Sequence, residues 1–439
     1  MIPATTSDAF LLALESHMRR SGQGAHLSAT VIELSGEPDA GTLEATAARL
    51  ARRHPLLNAR LRRGVDFIAR WHPGGPDPLP IEIHPAGPLE PLLARLLENP
   101  RIDIRAPGPN LELHARPLAP GRWALVLLWP HSLFDAIGID KLIADLDEAD
   151  DSPRQDWGET TKATGSHGDL WKAAKPMVEE MRSFPTWRIR SLHRHRHPAR
   201  SPRFEILRFS PEETASIRQR MASTAGELLM LPYFAAIAAR ATRAVIGLRH
   251  AGDEIPVLLS LPVQRTANPA RRPLFQNHMV AWSLMLAPGD FGGLGDTTRT
   301  LHRKYLDFLR RKLPTAMEAL MKLMERCPSR FYLKPASHYL KGEICTLFHS
   351  HTGQFAAAST TLFGQSILDG FHVPSVSDPP GLGIFFSERS DRLSCTLSWR
   401  EGTLSAEELQ LLKTTLLADL QGEPAGGAPV MKPASSATS

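Results

Sequence analysis

The chain reads as an α/β protein in two halves, and three observations carry that reading. Short β-branched and apolar runs, such as His26–Leu34 and Trp123–Trp129, alternate with segments of helical periodicity instead of being segregated from them. The 439 residues exceed one ordinary domain of about 150 residues. The 31 glycines and 37 prolines punctuate the chain into many turns, which does not suit a long helical bundle.

In order, Asp8–Ser21 reads as a helix with Phe10, Leu11, Leu14 and Met18 on one side. His26–Leu34 is a strand, and Gly36-Glu37-Pro38-Asp39 is turn chemistry before a helix over Ala40–Arg53. His54-Pro55 ends that helix, because the residue before proline avoids the helical region. Leu56–Arg63 and Phe67–His72 are short strands, Pro88–Glu98 a helix, and Leu111–Pro117 and Trp123–Trp129 two strands. Ile137–Leu146 is a helix, and the irregular polar stretch from Asp147 begins a linker. Strand signals resume at Arg203–Phe209, and Ser210-Pro211-Glu212-Glu213 is a capped helix start. Pro232–Leu248 is an apolar helix, Ile255–Leu261 and His278–Leu286 are strands, and Thr297–Arg311 and Pro314–Arg326 are helices. Ile344–Phe348, Leu382–Phe386 and Leu393–Trp399 are strands, and Ser405–Leu420 is a closing helix with Ser405 as its cap. The expected organisation is a first lobe at 1–150, a basic linker at 151–202, a second lobe at 203–420 and a disordered tail at 421–439. No short-period repeat is visible, which argues against a solenoid.

Composition narrows the function classes. Cys327, Cys345 and Cys395 share no CxxC spacing, which argues against a disulfide framework or a thiolate zinc site and fits a cytoplasmic location. The N-terminus has no basic region followed by an apolar stretch, so no signal peptide is expected. The longest apolar run, Leu228–Ala239, is far short of the roughly 20 residues that span a bilayer. A net charge of +5 is modest, and no nucleic-acid-binding pattern accompanies it, so nucleic acid is not an expected partner.

The sharpest feature is Trp129-Pro130-His131-Ser132-Leu133-Phe134-Asp135-Ala136-Ile137-Gly138. A strand ends in proline, a histidine follows, and an aspartate stands four residues on, before a helix. Histidine titrates near neutrality, so His131 is suited to take a proton from a hydroxyl, amine or thiol. Asp135 lies in an apolar stretch and needs a cationic partner. The same pattern also fits a hydrogen-bonded histidine at a strand end and an acid favoured by a helix dipole. There is no Gly-x-Ser-x-Gly elbow, no His-Glu-x-x-His and no phosphate-binding glycine loop, so acyl-serine, metal and ATP chemistry are unsupported.

The run from Arg101-Ile102-Asp103 through two strands to His131 resembles the condensation-like, CoA-dependent acyltransferase superfamily, whose signature is His-His-x-x-x-Asp-Gly after a strand. That superfamily includes condensation domains, wax ester synthase/diacylglycerol acyltransferases and chloramphenicol acetyltransferase-like enzymes. Arg53-His54-Pro55-Leu56-Leu57, Leu259-Ser260-Leu261-Pro262-Val263-Gln264-Arg265, Phe275-Gln276-Asn277 and Ser350-His351-Thr352-Gly353 are similar to other parts of it, and Ser7-Asp8-Ala9-Phe10-Leu11 is similar to the wax ester synthase opening. The resemblance implies two chloramphenicol-acetyltransferase-like lobes forming a pseudo-dimer with a central channel. It makes His131 the general base, Asp135 a structural acid and Arg265 the partner of Asp135. Ala136, Gly138, Asn277 and Ser350 would meet substrate, although Asn277 is equally suited to bonding the sheet backbone. Two positions depart from the signature: Pro130 replaces the first histidine, and Ala136 replaces the glycine after the aspartate.

The activity implied is transfer of an acyl group from a CoA or carrier-protein thioester to a hydroxyl or amine of a small-molecule or lipid acceptor. The thioester is a co-substrate, with no bound cofactor and no metal. The alternative is a non-catalytic relative that serves as a binding or docking protein, which Pro130 and Ala136 motivate. His193-Arg194-His195-Arg196-His197 reads as a solvated basic linker, since arginines disfavour a bound cation. Met317, Met321 and Met324 read as core, with an acyl tunnel as the alternative. Thr297–Leu313 reads as a solvated basic face, with peripheral membrane contact as the alternative. His278 and His351 read as structural, with the channel as the alternative.

Overall fold

The computed structural model describes residues 1–98, 101–158, 165–184, 188–194, 201–226, 229–251, 254–265 and 272–422. The expected tail, from 423 on, lies outside them, as do Leu228 of the apolar run and His195, Arg196 and His197 of the basic linker.

Two six-stranded sheets organise the molecule, one per lobe. The first runs in the order Thr361–Leu362, Gln365–Pro374, Leu27–Leu34, Arg122–Pro130, Glu112–Ala119 and Ile81–Ile83. All its pairings are antiparallel except the last, which is parallel. The second runs Met279–Leu286, Val257–Gln264, Leu347–Gln354, Leu382–Arg389, Arg392–Arg400 and Pro202–Arg208. Its Leu347–Gln354 strand is parallel to both neighbours. This is the expected α/β, two-lobed pseudo-dimer.

Local chemistry explains the helix starts. Ser210 and Glu213 form a capping box: the Glu213 N–H donates to Ser210 Oγ (3.2 Å) and the Ser210 N–H to Glu213 Oε2 (2.8 Å). Ser405 and Glu408 repeat it at the last helix, Ala406–Gln421. The Ala40–Arg53 helix starts at Asp39, whose carboxylate accepts from the Thr42 N–H at 2.8 Å.

Three expectations are corrected. The first half of Leu56–Arg63 is a short 3₁₀ turn, Pro55–Asn58, with the strand confined to Arg60–Arg63. Asn58 holds that turn by donating to the Gly75 and Asp77 carbonyls at 3.1 and 2.7 Å. The 151–202 stretch contains a helix, His167–Arg182, which Ser166 and Asp169 cap and which buries Leu170, Ala174 and Met177. Finally, Gln365–Pro374 belongs by sequence to the second lobe but pairs with Leu27–Leu34 of the first. Its Ile367 enters the first lobe's core, as do Leu274, Phe275 and Phe355. The two lobes are therefore interlocked rather than joined only by a linker.

Met321 is buried, Met317 packs on the second lobe's core, and Met324 packs beside Ala9, Ala13 and Tyr332, in keeping with the core reading. Cations on the basic helix, observed as Leu294–Arg310, pair with surface acids: Arg299 with Asp296 and Lys304 with Asp290. Among the described residues no single helix is long and apolar enough to cross a membrane.

Candidate active site

Between the lobes lies a cavity of about 640 Å³. Phe10, Leu11 and Leu14 of the first helix, Met230 and Leu231 of the apolar helix, and Leu261, Met279 and Trp282 of the second sheet supply much of its wall. His131, Ala136 and Ser350 line it as well.

His131 is placed by its strand. Arg122–Pro130 is a central strand, and its register sets Pro130 opposite Leu27, so His131 follows as the cross-strand neighbour of His26. The His131 N–H donates to the His26 carbonyl at 2.9 Å. The ring is fixed at Nδ1, which lies 3.1 Å from the Phe134 carbonyl. A carbonyl only accepts, so Nδ1 carries the proton and the Nε2 lone pair is the basic site. Burial lowers the His131 pKa below its usual 6.5 and keeps the ring neutral at pH 7. Chemically, a neutral imidazole with Nδ1 bonded in this way can accept a proton at Nε2.

Asp135 is the structural acid. It caps the Ala136–Asp145 helix through Oδ1, which accepts from the Gly138 N–H at 3.0 Å. Oδ2 accepts from the His278 N–H at 3.4 Å. The expected Arg265 partner is corrected: Oδ1 pairs with Arg272, whose Nη1 also donates to Gln264 Oε1 at 2.7 Å. Arg265 follows the Val257–Gln264 strand and sends its guanidinium to Glu318 instead, at 3.0 Å. Arg272 reaches Asp135 because the 272–278 segment folds back over the helix start. There the Gln276 N–H donates to the Leu133 carbonyl at 2.7 Å.

That crossing also corrects Gly138 and Asn277, neither of which lines the cavity. Gly138 is a packing glycine, since a Cβ there would stand 2.3 Å from the Leu274 carbonyl oxygen. Asn277 is fully buried. It donates through Nδ2 to the His131 carbonyl (3.0 Å) and to Asp8 Oδ1 (3.0 Å). It therefore ties the first helix to the His131 turn. The buried His278 also stays clear of the cavity, with Nε2 3.0 Å from the Phe275 carbonyl. His351 does line the cavity, stacked on Phe234 with ring centroids 5.1 Å apart.

Sequence reasoning missed His26 and Arg272. The His26 ring lies 5.0 Å from that of His131, lines the cavity and is held neutral chiefly by burial. Its signal was the alternation His26-Leu27-Ser28-Ala29-Thr30-Val31, which puts the polar positions on one sheet face. Arg272 sits beside a second arginine in a turn-like stretch and carries no local signal.

Away from this site, Glu82, His84 and His114 have metal-ligand spacing. Their hydrogen bonds give them another use. Arg95, which can only donate, lies 3.3 Å from His84 Nδ1. The His84 proton is therefore on Nε2 and goes to His114 Nδ1 (3.1 Å), whose Nε2–H goes to Glu112 (3.2 Å). Each ring nitrogen thus has a protein partner, and Glu82 Oε1 also stands 3.5 Å from His84 Nδ1.

No protein-family model matches the chain, and no curated protein matches it by sequence. Solved structures do match in shape. The trichothecene 15-O-acetyltransferase TRI3 from Fusarium sporotrichioides aligns with a TM-score of 0.67 at 13% identity, over 96% of this chain and 95% of that one. The first condensation domain of the calcium-dependent antibiotic synthetase aligns at 0.67 and 16% identity, over 97% of each. The wax ester synthase/diacylglycerol acyltransferase from Marinobacter aquaeolei VT8 aligns at 0.58 and 17% identity, over 96% and 99%. With two interlocked lobes around a His131-bearing cavity, the chain has the fold shared by condensation domains and these acyltransferases.

Proposed function

We propose that the protein is an acyltransferase that moves an acyl group from a CoA or carrier-protein thioester to a hydroxyl acceptor, with His131 as general base. The observation that carries this reading is the His131 ring itself. Nδ1 is spent on the Phe134 carbonyl, burial keeps the ring neutral, and the ring lines a cavity between two lobes. In the proposed step Nε2 takes the acceptor proton as the acceptor oxygen attacks the thioester carbonyl carbon. The C–S bond then breaks, and the departing sulfur takes the proton back from His131. The products are an ester and a free thiol.

The cavity wall favours an apolar acyl chain. Among its described lining residues Asp135 is the one permanent charge, and Arg272 neutralises it. A charged substrate group would lose its hydration there without compensation. Asp135, with both oxygens engaged, holds the turn. Ala136 and Ser350 are the lining positions expected to meet substrate.

The test is thiol release from a panel of acyl-CoAs and acyl-carrier proteins, with and without alcohol or amine acceptors. Acceptor-dependent release is expected, strongest for apolar chains and alcohols. No release from any donor overturns the reading.

A further inference from the structure

A small hairpin on the first lobe carries a basic face and an apolar tip. Its strands, Arg60–Arg63 and Ala69–His72, are antiparallel, and its turn is Gly64-Val65-Asp66-Phe67-Ile68. Leu61, Ala69 and Trp71 are buried, so the strand alternation turns Arg60, Arg62, Arg70 and His72 to the other side.

Three features of this hairpin are costly for the folded chain. Val65 is 102% and Phe67 56% exposed, so these apolar side chains gain little by folding. Phe67 has a φ of 63°, in the left-handed region that a bulky residue rarely occupies. The register sets Arg62 directly opposite Arg70 and Arg60 opposite His72, and like charges so placed repel. Asp66 pairs with Arg70, but among the described residues no acid pairs with Arg60 or Arg62.

The same character continues next to the hairpin. Arg63 donates through Nη2 to Ser329 Oγ at 2.8 Å, which sets the hairpin against the short helix Ser329–Tyr332. Phe331 on that helix is 38% exposed, with Arg330 Cζ and Lys334 Nζ 4.6 and 4.8 Å from its ring centre. Segments 60–70 and 325–334 together hold seven Arg or Lys residues and two acids. Both acids are taken, Asp66 by Arg70 and Glu325 by Lys322, so three exposed apolar side chains stand among surplus cations. On its inner side the short helix sets Tyr332 beside Phe10, ring centres 6.4 Å apart, and Phe10 lines the main cavity.

A projecting apolar tip among cations has the form of an interfacial anchor. The apolar side chains enter the boundary between headgroups and acyl chains, and the cations meet lipid phosphates. An acidic protein would match the charge as well, but a fluid surface buries a fully projecting Val65 without needing a preformed socket.

We propose that this hairpin and the 329–334 segment form a docking surface for an anionic lipid bilayer. Val65, Phe67 and Phe331 insert, while Arg62, Arg330 and Lys334 lie at the level of the phosphates.

The test is co-sedimentation of the full chain with vesicles, with no thioester present. One set is phosphatidylcholine alone and the other is phosphatidylcholine mixed with phosphatidylglycerol, each at low and at high salt. Binding to the mixed vesicles is expected, weakening with salt, and at least about tenfold weaker on phosphatidylcholine alone. Val65→Ser/Phe67→Ser is expected to weaken mixed-vesicle binding by about tenfold or more, and Arg62→Gln/Arg330→Gln by about fivefold for each charge removed. All four side chains are exposed, so both variants should melt at the native temperature. Three results overturn the proposal. The first is no binding to mixed vesicles, which leaves the face to an acidic protein. The second is full binding by Val65→Ser/Phe67→Ser, which reduces the effect to charge attraction. The third is a lower melting temperature with unchanged vesicle binding, which makes the tip an element of folding. Lipid binding is read without acyl transfer, so failure of either reading leaves the other standing.

Discussion

Arg272 and Asp135 form a buried ion pair that pins the 272–278 segment of the second half onto the first turn of the helix after His131. The pair is a lock between the lobes, and it sits one helical turn from the proposed base. Several consequences can be measured.

Breaking the lock from one side strands a charge. Arg272→Met leaves the Asp135 carboxylate buried and should cost about 3–5 kcal/mol of unfolding free energy. The double variant Asp135→Leu/Arg272→Met removes both charges and should recover much of that loss. Urea unfolding measures both. A loss under about 0.5 kcal/mol for Arg272→Met, the size of an ordinary surface change, would show that the pair is not a lock.

Gly138→Ala tests the close crossing. The new methyl would meet the Leu274 carbonyl oxygen, a backbone atom that cannot rotate away. Destabilisation of about 1–3 kcal/mol is expected, read as a lower melting temperature. A melting temperature equal to the native one would mean that the 272–278 segment does not press on this helix.

Stability should fall on acidification. His26, His131, His278 and His349 are all held below the usual 6.5, each chiefly by burial, with His349 pushed down to about 3. The unfolded chain therefore binds protons that the folded chain refuses. Stability is fully present above pH 6.5 and is lost progressively as pH falls below it, with the His349 share continuing down to about 3. The urea midpoint should decline steadily from pH 7 to pH 4. A flat profile would contradict the neutral, buried state of these rings.

Much of this fold was legible in the sequence where local chemistry decides structure. Ser210 and Ser405 announced their helices because a side-chain oxygen satisfies a free backbone N–H within three residues; Asp39 read as turn chemistry and also proves to be a cap. The turn around His131 was legible for the same reason, since Asp135 caps the helix that follows it. What escaped was set by distant partners. Gln365–Pro374 contains Gly370 and ends in Pro374 and carries no clear local strand signal; its ladder comes from the distant Leu27–Leu34. Nothing local separates Arg272 from Arg265; only the path of the chain back over Gly138 decides which of them meets Asp135. Gly138, expected to meet substrate, is a packing residue, and Asn277, for which substrate and backbone were both open, is a tether. Spacing in a motif does not distinguish a side chain that faces the cavity from one that holds such a side chain in place.

The most direct test of the central claim is acceptor-dependent thiol release by His131→Ala beside the native chain, using a medium-chain acyl-CoA and an aliphatic alcohol. The main cavity, the Asp135–Arg272 lock and the melting temperature should all survive that change. Release should drop by about 10²–10⁴-fold, the range of a lost general base. Equal release from the two proteins would contradict the role given to His131.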